Sequence, residues 1–165
     1  MPRLLKNSEV FEDDYRILDS ESADQVFAGT LLIPAKELDQ YKKLLEQKQQ
    51  PTGLFLDSDD EVENYADILS SFDLITINFP KFIDGRGYSL CRILRDRYHY
   101  KGDIRAVGDV LVDQIFMLQR CGFSSYYLRE DQKAEDAIKA LDTFTLRYQG
   151  STDDPEPLYR KRQAS

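Results

Sequence analysis

Histidine and cysteine are nearly absent from this 165-residue chain, which has one of the first and two of the second. Each scarcity removes a class of chemistry. The two thiols, Cys91 and Cys121, form neither a C-x-x-C pair nor any other metal-ligand spacing. A structural zinc site, or an iron–sulfur cluster held by four thiolates, is therefore not expected, and no metal is assigned. Both thiols fall in helical segments, where they pack rather than react, and they suit a reducing compartment. His99 lies at the C-terminal end of a helical segment, on the side of the fold opposite the expected site, so Ser-His-Asp or Cys-His hydrolysis is not expected. Positive charge is in deficit too: 22 Lys and Arg stand against 30 Asp and Glu, a net charge of −8. Nucleic-acid phosphates and anionic membranes would be repelled by such a surface. No apolar run approaches the roughly 18 residues of a spanning helix. The opening residues, Met1 to Glu9, lack the apolar core of a signal peptide. The expected location is the cytoplasm.

What the chain does have is a periodicity that alternates. Thr30-Leu31-Leu32-Ile33, Leu54-Phe55-Leu56, Leu74-Ile75-Thr76-Ile77-Asn78-Phe79, Ile104-Arg105-Ala106-Val107 and Ser125-Tyr126-Tyr127-Leu128 are short, strand-like runs. Between and after them come apolar residues at helical spacing: Leu38, Tyr41, Leu44 and Leu45; Val62, Tyr65, Ala66 and Leu69; Leu90, Ile93, Leu94 and Tyr98; Leu111, Ile115 and Leu118; Ala134, Ala137, Ile138 and Leu141. Ser58 and Glu61 have the capping-box spacing for the second helix, and Gly122 suits the end of the fourth. Five β-α units predict an α/β fold with a mainly parallel sheet covered by helices, either an open doubly wound sheet or a partial β/α barrel. The core spans residues 30–142. Residues 1–29 form an extension with one strand at Tyr15-Arg16-Ile17-Leu18, and residues 143–165 an edge strand followed by a mobile, basic tail.

Ligands in parallel α/β folds bind beyond the carboxyl ends of the strands. That rule selects Asp57; Asn78, Lys81, Asp84, Gly85, Arg86, Gly87 and Ser89; Gly108, Asp109 and Asp113; and Arg129 and Glu130. The segment from Phe79 to Ser89 joins a strand to a helix N-terminus, where free N–H groups and the helix dipole favour an anion. Lys81 and Arg86 add charge, Gly85 and Gly87 allow close backbone approach, and Ser89 could cap the helix. Its spacing is neither the phosphate loop G-x-x-x-x-G-K-[ST] nor the dinucleotide loop G-x-G-x-x-G. The plainer reading is a tight turn in which Arg86 pairs with Asp84 or Asp109. Asp109 and Asp113, four apart, could bind a divalent cation or act as acid and base, although the first turn of a helix favours carboxylates for its own sake and no third acidic ligand is obvious. Nothing signals a particular cofactor, flavin included.

The blocks Phe79-Pro80-Lys81-Phe82, Asp84-Gly85-Arg86-Gly87-Tyr88-Ser89, Arg105-Ala106-Val107-Gly108-Asp109-Val110-Leu111, Asp113-Gln114 and Arg120-Cys121-Gly122-Phe123 resemble a bacterial family of unknown function. Its members are commonly labelled oxidoreductases involved in sulfite reduction. The resemblance extends over most of the chain and supplies no catalytic residues. It implies an accessory protein of sulfite reduction and sulfate assimilation, one that binds a small anion or docks to sulfite reductase or another protein of that route. The chain has no siroheme or iron–sulfur ligand set of its own, so it would not be the reductase centre. The anion site would comprise Lys81, Asp84, Gly85, Arg86, Gly87, Ser89, Asp109 and Asp113: Lys81, Arg86 and the N–H groups around Gly87–Ser89 would hold the anion, Asp84 and Asp109 would orient the cations, and Arg105 is a weaker candidate. The alternatives are an enzyme using these strand-end acids and bases on a phosphorylated or carboxylated metabolite, a flavin- or nicotinamide-linked oxidoreductase, and a structural module.

Overall fold

The computed structural model describes residues 3–12, 14–19, 27–41, 43, 46, 51–142 and 149–163. Its first element is a hairpin. Strands β1 (Leu4–Lys6) and β2 (Glu9–Phe11) pair antiparallel, and Asn7 and Ser8 turn between them with φ of 51° and 62°. Two consecutive positive φ angles are what a two-residue hairpin turn of the right twist demands, and Asn tolerates them best after Gly. Six strands follow: β3 (Tyr15–Ile17), β4 (Thr30–Pro34), β5 (Thr52–Leu56), β6 (Leu74–Phe79), β7 (Asp103–Gly108) and β8 (Ser125–Tyr127).

All eight strands form one sheet in the order β2-β1-β8-β7-β6-β5-β4-β3. Strands β3 to β8 are parallel and follow one another without a reversal, while β1 is antiparallel to both β2 and β8. The sheet is therefore mixed rather than mainly parallel, and the doubly wound alternative fails because there is no switch point. Connectivity then dictates shape. The two outermost strands would lie about 34 Å apart in a flat sheet of this width. Yet only three residues separate Phe11 at the end of β2 from Tyr15 at the start of β3, a reach of at most about 14 Å. The sheet must curl, and it does so as a half-barrel. Tyr15 meets Tyr127, five strands away in the sheet, with ring centroids 4.9 Å apart.

Alternation gives the curled sheet two faces. Leu31, Ile33, Leu54, Leu56, Ile75, Ile77, Phe79, Ile104, Ala106 and Tyr126 join Leu90, Leu94, Ile115, Leu118 and Ala137 of the helices in one buried cluster. The opposite face holds the concave row Thr76–Arg105–Ser125–Lys6, aligned by the strand register. Its polar groups are paired. Asp103 accepts from Lys6 at 3.1 Å, Ser125 at 2.9 Å and Ser124 at 2.5 Å, and these donors hold its carboxyl low despite burial. Arg105, only 5% exposed, donates to Ser125 at 3.3 Å.

Three α-helices cover the convex face: α1 (Arg86–Arg92), α2 (Ile115–Cys121) and α3 (Ala134–Leu141). The first runs on into a π turn at Ile93–Arg97, where the Tyr98 N–H donates to Ile93 O. The second ends on Gly122 at φ 108°, as its sequence position suggests. The expected α-helix after β5 is instead a 3-10 helix, Val62–Ser71, and Ser58 does not cap it. Asp60 turns that corner, accepting from the Asp57 N–H at 2.7 Å. After β4 the described residues form a 3-10 turn at Ala35–Glu37; Leu44 and Leu45, expected on a helical face there, lie outside the described residues. So does the proposed edge strand at 143–148. Beyond it, Ser151 donates to Arg120 O at 2.6 Å, Arg120 pairs with Asp153 at 3.0 Å, and helix α4 spans Leu158–Gln163. Among the described residues, no helix is long and apolar enough to cross a membrane.

Candidate functional site

The carboxyl ends of β5 to β8 meet at one mouth of the half-barrel, and the positions picked out by the strand-end rule lie there. Their charges are organised in pairs. After β5, Asp57 accepts from the Ser58 N–H at 2.8 Å and from Asn78 Nδ2 at 3.1 Å. After β6, Arg86 grips Asp84 through Nε at 3.0 Å and Nη2 at 2.7 Å, and its own N–H donates to the same carboxylate. A fork on a carboxylate is the strongest geometry open to arginine. Together with the Ser58 hydroxyl it holds the Asp84 carboxyl far below the usual carboxylate range.

After β7, Gly108 takes φ 91°. A Cβ there would fall 2.5 Å from both Asn78 Oδ1 and Phe79 O, so only glycine lets the two strand ends pass. Asp109 follows. Its Oδ1 accepts from Arg129 Nη1 at 2.6 Å and its Oδ2 from the Phe82 N–H at 2.8 Å, and both contacts depress its carboxyl pKa. Arg129, beyond β8, also grips Asp131 at 2.6 and 2.7 Å, and Asp131 is pulled down to about 2. Gln114 closes the arrangement by donating to Phe82 O at 2.7 Å.

The β6–α1 loop is thus clamped on both sides, at the N–H and at the C=O of Phe82. What it displays is apolar: Phe82 is 50% exposed and Ile83 73%. Met117, 53% exposed, sits one turn beyond Gln114 on the same side of α2. This patch was legible only as an anomaly, an apolar pair inside a turn flanked by Pro80 and Asp84-Gly85. Gln114 and Ser58 carried no sequence signal for their roles here.

The residues expected to hold an anion are thereby divided. Lys81 is exposed and has no ion-pair partner among the described residues. Arg86 is committed to Asp84, as the plainer reading had it. Gly87 is a packing residue, since a Cβ there would strike the Phe79 ring at 2.6 Å, whereas Gly85 faces open space. Ser89 does not cap α1: it lies inside the helix, which starts from Gly85 without a side-chain cap. Asp109 precedes the helical segment that begins at Val112, so it does not share a first helical turn with Asp113, which is exposed. Arg105 lies in the buried concave row. Glu130 is exposed and pairs with Arg3 at 3.5 Å. Among the described residues, no group of three or more His, Cys, Asp or Glu side chains could hold a metal. His99 lies at the other end of the helices, exposed, at φ 52°. Cys91 and Cys121 are buried, and burial raises both thiol pKa values.

A family model described as "Bacterial protein of unknown function (DUF934)" matches residues 53–159, from β5 into α4. That description names no reaction. No curated protein matches the chain.

Proposed function

Starting from the chain's membership of this bacterial family of unknown function, DUF934, we propose that the protein is a docking accessory that works by binding a partner protein through the β6–α1 loop. The observation that carries this reading is the clamp on Phe82. Two hydrogen bonds hold the loop backbone while Phe82 and Ile83 face solvent. A rigid loop with outward apolar side chains loses little entropy on binding, and an exposed apolar patch marks an interaction site. Catalysis fits the same atoms less well. A general acid or base should titrate near neutrality, and the carboxyls of Asp84, Asp109 and Asp131 are all driven the other way.

The partner we propose is sulfite reductase, a choice that rests on the family resemblance set out above. Purified protein and sulfite reductase holoenzyme should form a complex by analytical ultracentrifugation. The variant Ile83→Asp should weaken it by at least tenfold, since burying an isoleucine contributes about 1.5–3 kcal/mol. A complex that tolerates Ile83→Asp and Phe82→Ser would refute the loop. No complex at tens of micromolar would refute the partner.

A second reading, capture of sulfite or another small anion, is favoured by Lys81, which is exposed and has no ion-pair partner among the described residues. Sulfite should then raise the melting temperature of wild-type protein and not of Lys81→Ala.

A further inference from the structure

A separate opening lies where β1 joins β8. Beyond Tyr127 the surface sinks into a cleft of about 840 Å³ lined by Arg3, Asp14, Tyr127, Glu130, Lys133 and Glu135 among others, within the size range of small-metabolite sites. One side of it is the Tyr127 ring. Tyr127 meets Tyr15 edge-on, and the Arg3 guanidinium lies 4.8 Å from the Tyr127 ring centre while donating to its hydroxyl at 3.3 Å. Burial raises the pKa of Tyr15, so the phenol that backs the Tyr127 ring stays neutral.

The charges in the cleft behave differently from those at the mouth of the half-barrel. There Arg86 and Arg129 are each gripped by carboxylates. Here Arg3 has, among the described residues, one weak ion pair, at 3.5 Å to Glu130, whose side chain is 86% exposed. A guanidinium has five N–H donors; among the described residues Arg3 donates one hydrogen bond to a side chain, the Tyr127 hydroxyl, beside its long ion pair to Glu130. Lys133, Asp14 and Glu135 have no ion-pair partner among the described residues. Uncommitted charges of both signs therefore line one concavity. A purely anionic ligand would be repelled by the acids, and a purely cationic one by Arg3 and Lys133. A ligand that carries both signs satisfies the whole set.

We propose that this cleft binds a small amphoteric metabolite of the amino-acid or dipeptide class. Its carboxylate lies on Arg3 and Lys133, its ammonium on Asp14 and Glu135, and its apolar body against Tyr127. The planar fork of Arg3 suits a carboxylate. This site is independent of the docking loop.

The test is a titration of the full ¹⁵N-labelled chain with the twenty amino acids and a set of glycyl dipeptides. At least one should give saturable amide shifts centred on Tyr127, Gln132 and Glu135. Arg3→Ala should weaken that ligand at least tenfold, as should removal of its amino group. Glu135→Gln should weaken it severalfold, and Ile83→Asp should leave it unchanged. Should Arg3→Ala fail to fold, Lys133→Ala, at an exposed position, takes its place with the same expected direction. The proposal is overturned if no compound gives saturable shifts. It is also overturned if the deaminated analogue binds as well as its parent, or if the cleft variants bind within twofold of wild type.

Discussion

Replacing Gly87 by alanine sets two opposed terms against each other at a place where both can be sized. An ideally placed methyl carbon would fall 2.6, 2.8 and 3.1 Å from three carbons of the Phe79 ring, against an ordinary contact of roughly 3.5–4.0 Å. The ring has little room to move. Phe79 is buried, with the Tyr88 ring at 5.5 Å and the Phe123 ring at 5.9 Å. Overpacking of this kind costs about 1–3 kcal/mol, and the better helix propensity of alanine offsets up to about 1 kcal/mol. The net expectation is a loss of about 1–2 kcal/mol, or a melting temperature lower by roughly 2–8 °C for a chain of this size. Gly85, two residues earlier, is the internal control. It has φ −82° and ψ −7°, and no atom lies within 4 Å of its ideal Cβ, so Gly85→Ala should change stability by less than about 0.5 kcal/mol. Urea unfolding followed by far-ultraviolet circular dichroism measures both. Phe79→Leu combined with Gly87→Ala should cost less than the sum of the single changes, because the smaller side chain makes room for the methyl. A Gly87→Ala protein as stable as wild type would falsify the packing argument and reopen the glycine as a ligand contact.

Two further outcomes follow from side chains with several partners. Arg95 donates to Gly122 O at 2.9 Å, Tyr100 O at 2.7 Å and Gly102 O at 2.9 Å, so Arg95→Ala should cost about 2–4 kcal/mol by the same unfolding assay, and lysine should recover less than half of it; a cost under about 0.5 kcal/mol would sink this reading. Asp109 and Asp131 titrate lower in the folded chain than the roughly 3.9 of an unfolded one. The stability they supply is therefore fully present above that value and is lost as pH falls through their folded-state values, the Asp131 share towards pH 2. Carboxyl ¹³C titration should show both low values, and Arg129→Gln should return them towards about 3.9; an unchanged titration would show that Arg129 is not the cause.

Five strands of the core were readable because each is a short apolar run with nothing else to do: Ile33, Leu54, Ile75, Ile77, Ile104 and Ala106 are all fully buried. The curl was not readable from periodicity. It depends on β1 and β2, three residues each, which are too short to show alternation. Asn7-Ser8 between Leu4-Leu5-Lys6 and Glu9-Val10-Phe11 was the available clue, weakened by serine standing where a hairpin turn favours glycine. Helix type failed after β5 for a physical reason. The capping-box spacing of Ser58 and Glu61 was present, but Asp60 accepts the Asp57 N–H and Ser58 serves Asp84 instead. At the candidate site, the strand-end rule brought Asp57, Asn78, Asp84, Asp109 and Arg129 to one mouth. What one sequence does not reveal is which cations are already engaged, since pairing depends on loop geometry across 20 or more residues, as between Arg129 and Asp109.

The pairing of β1 with β8 bears on how the chain is made. Leu4 lies beside Tyr127, its partner 123 positions later in the chain (127 − 4). The amino-terminal hairpin thus leaves the ribosome early and waits for its neighbour until nearly the whole core has been synthesised, some 6–25 s at typical elongation rates. Throughout that interval β1 offers unsatisfied backbone groups along the edge that β8 will later cover. Any chain ending before Ser125 would keep that edge open permanently, so the hairpin makes synthesis through β8 a condition for closing the sheet.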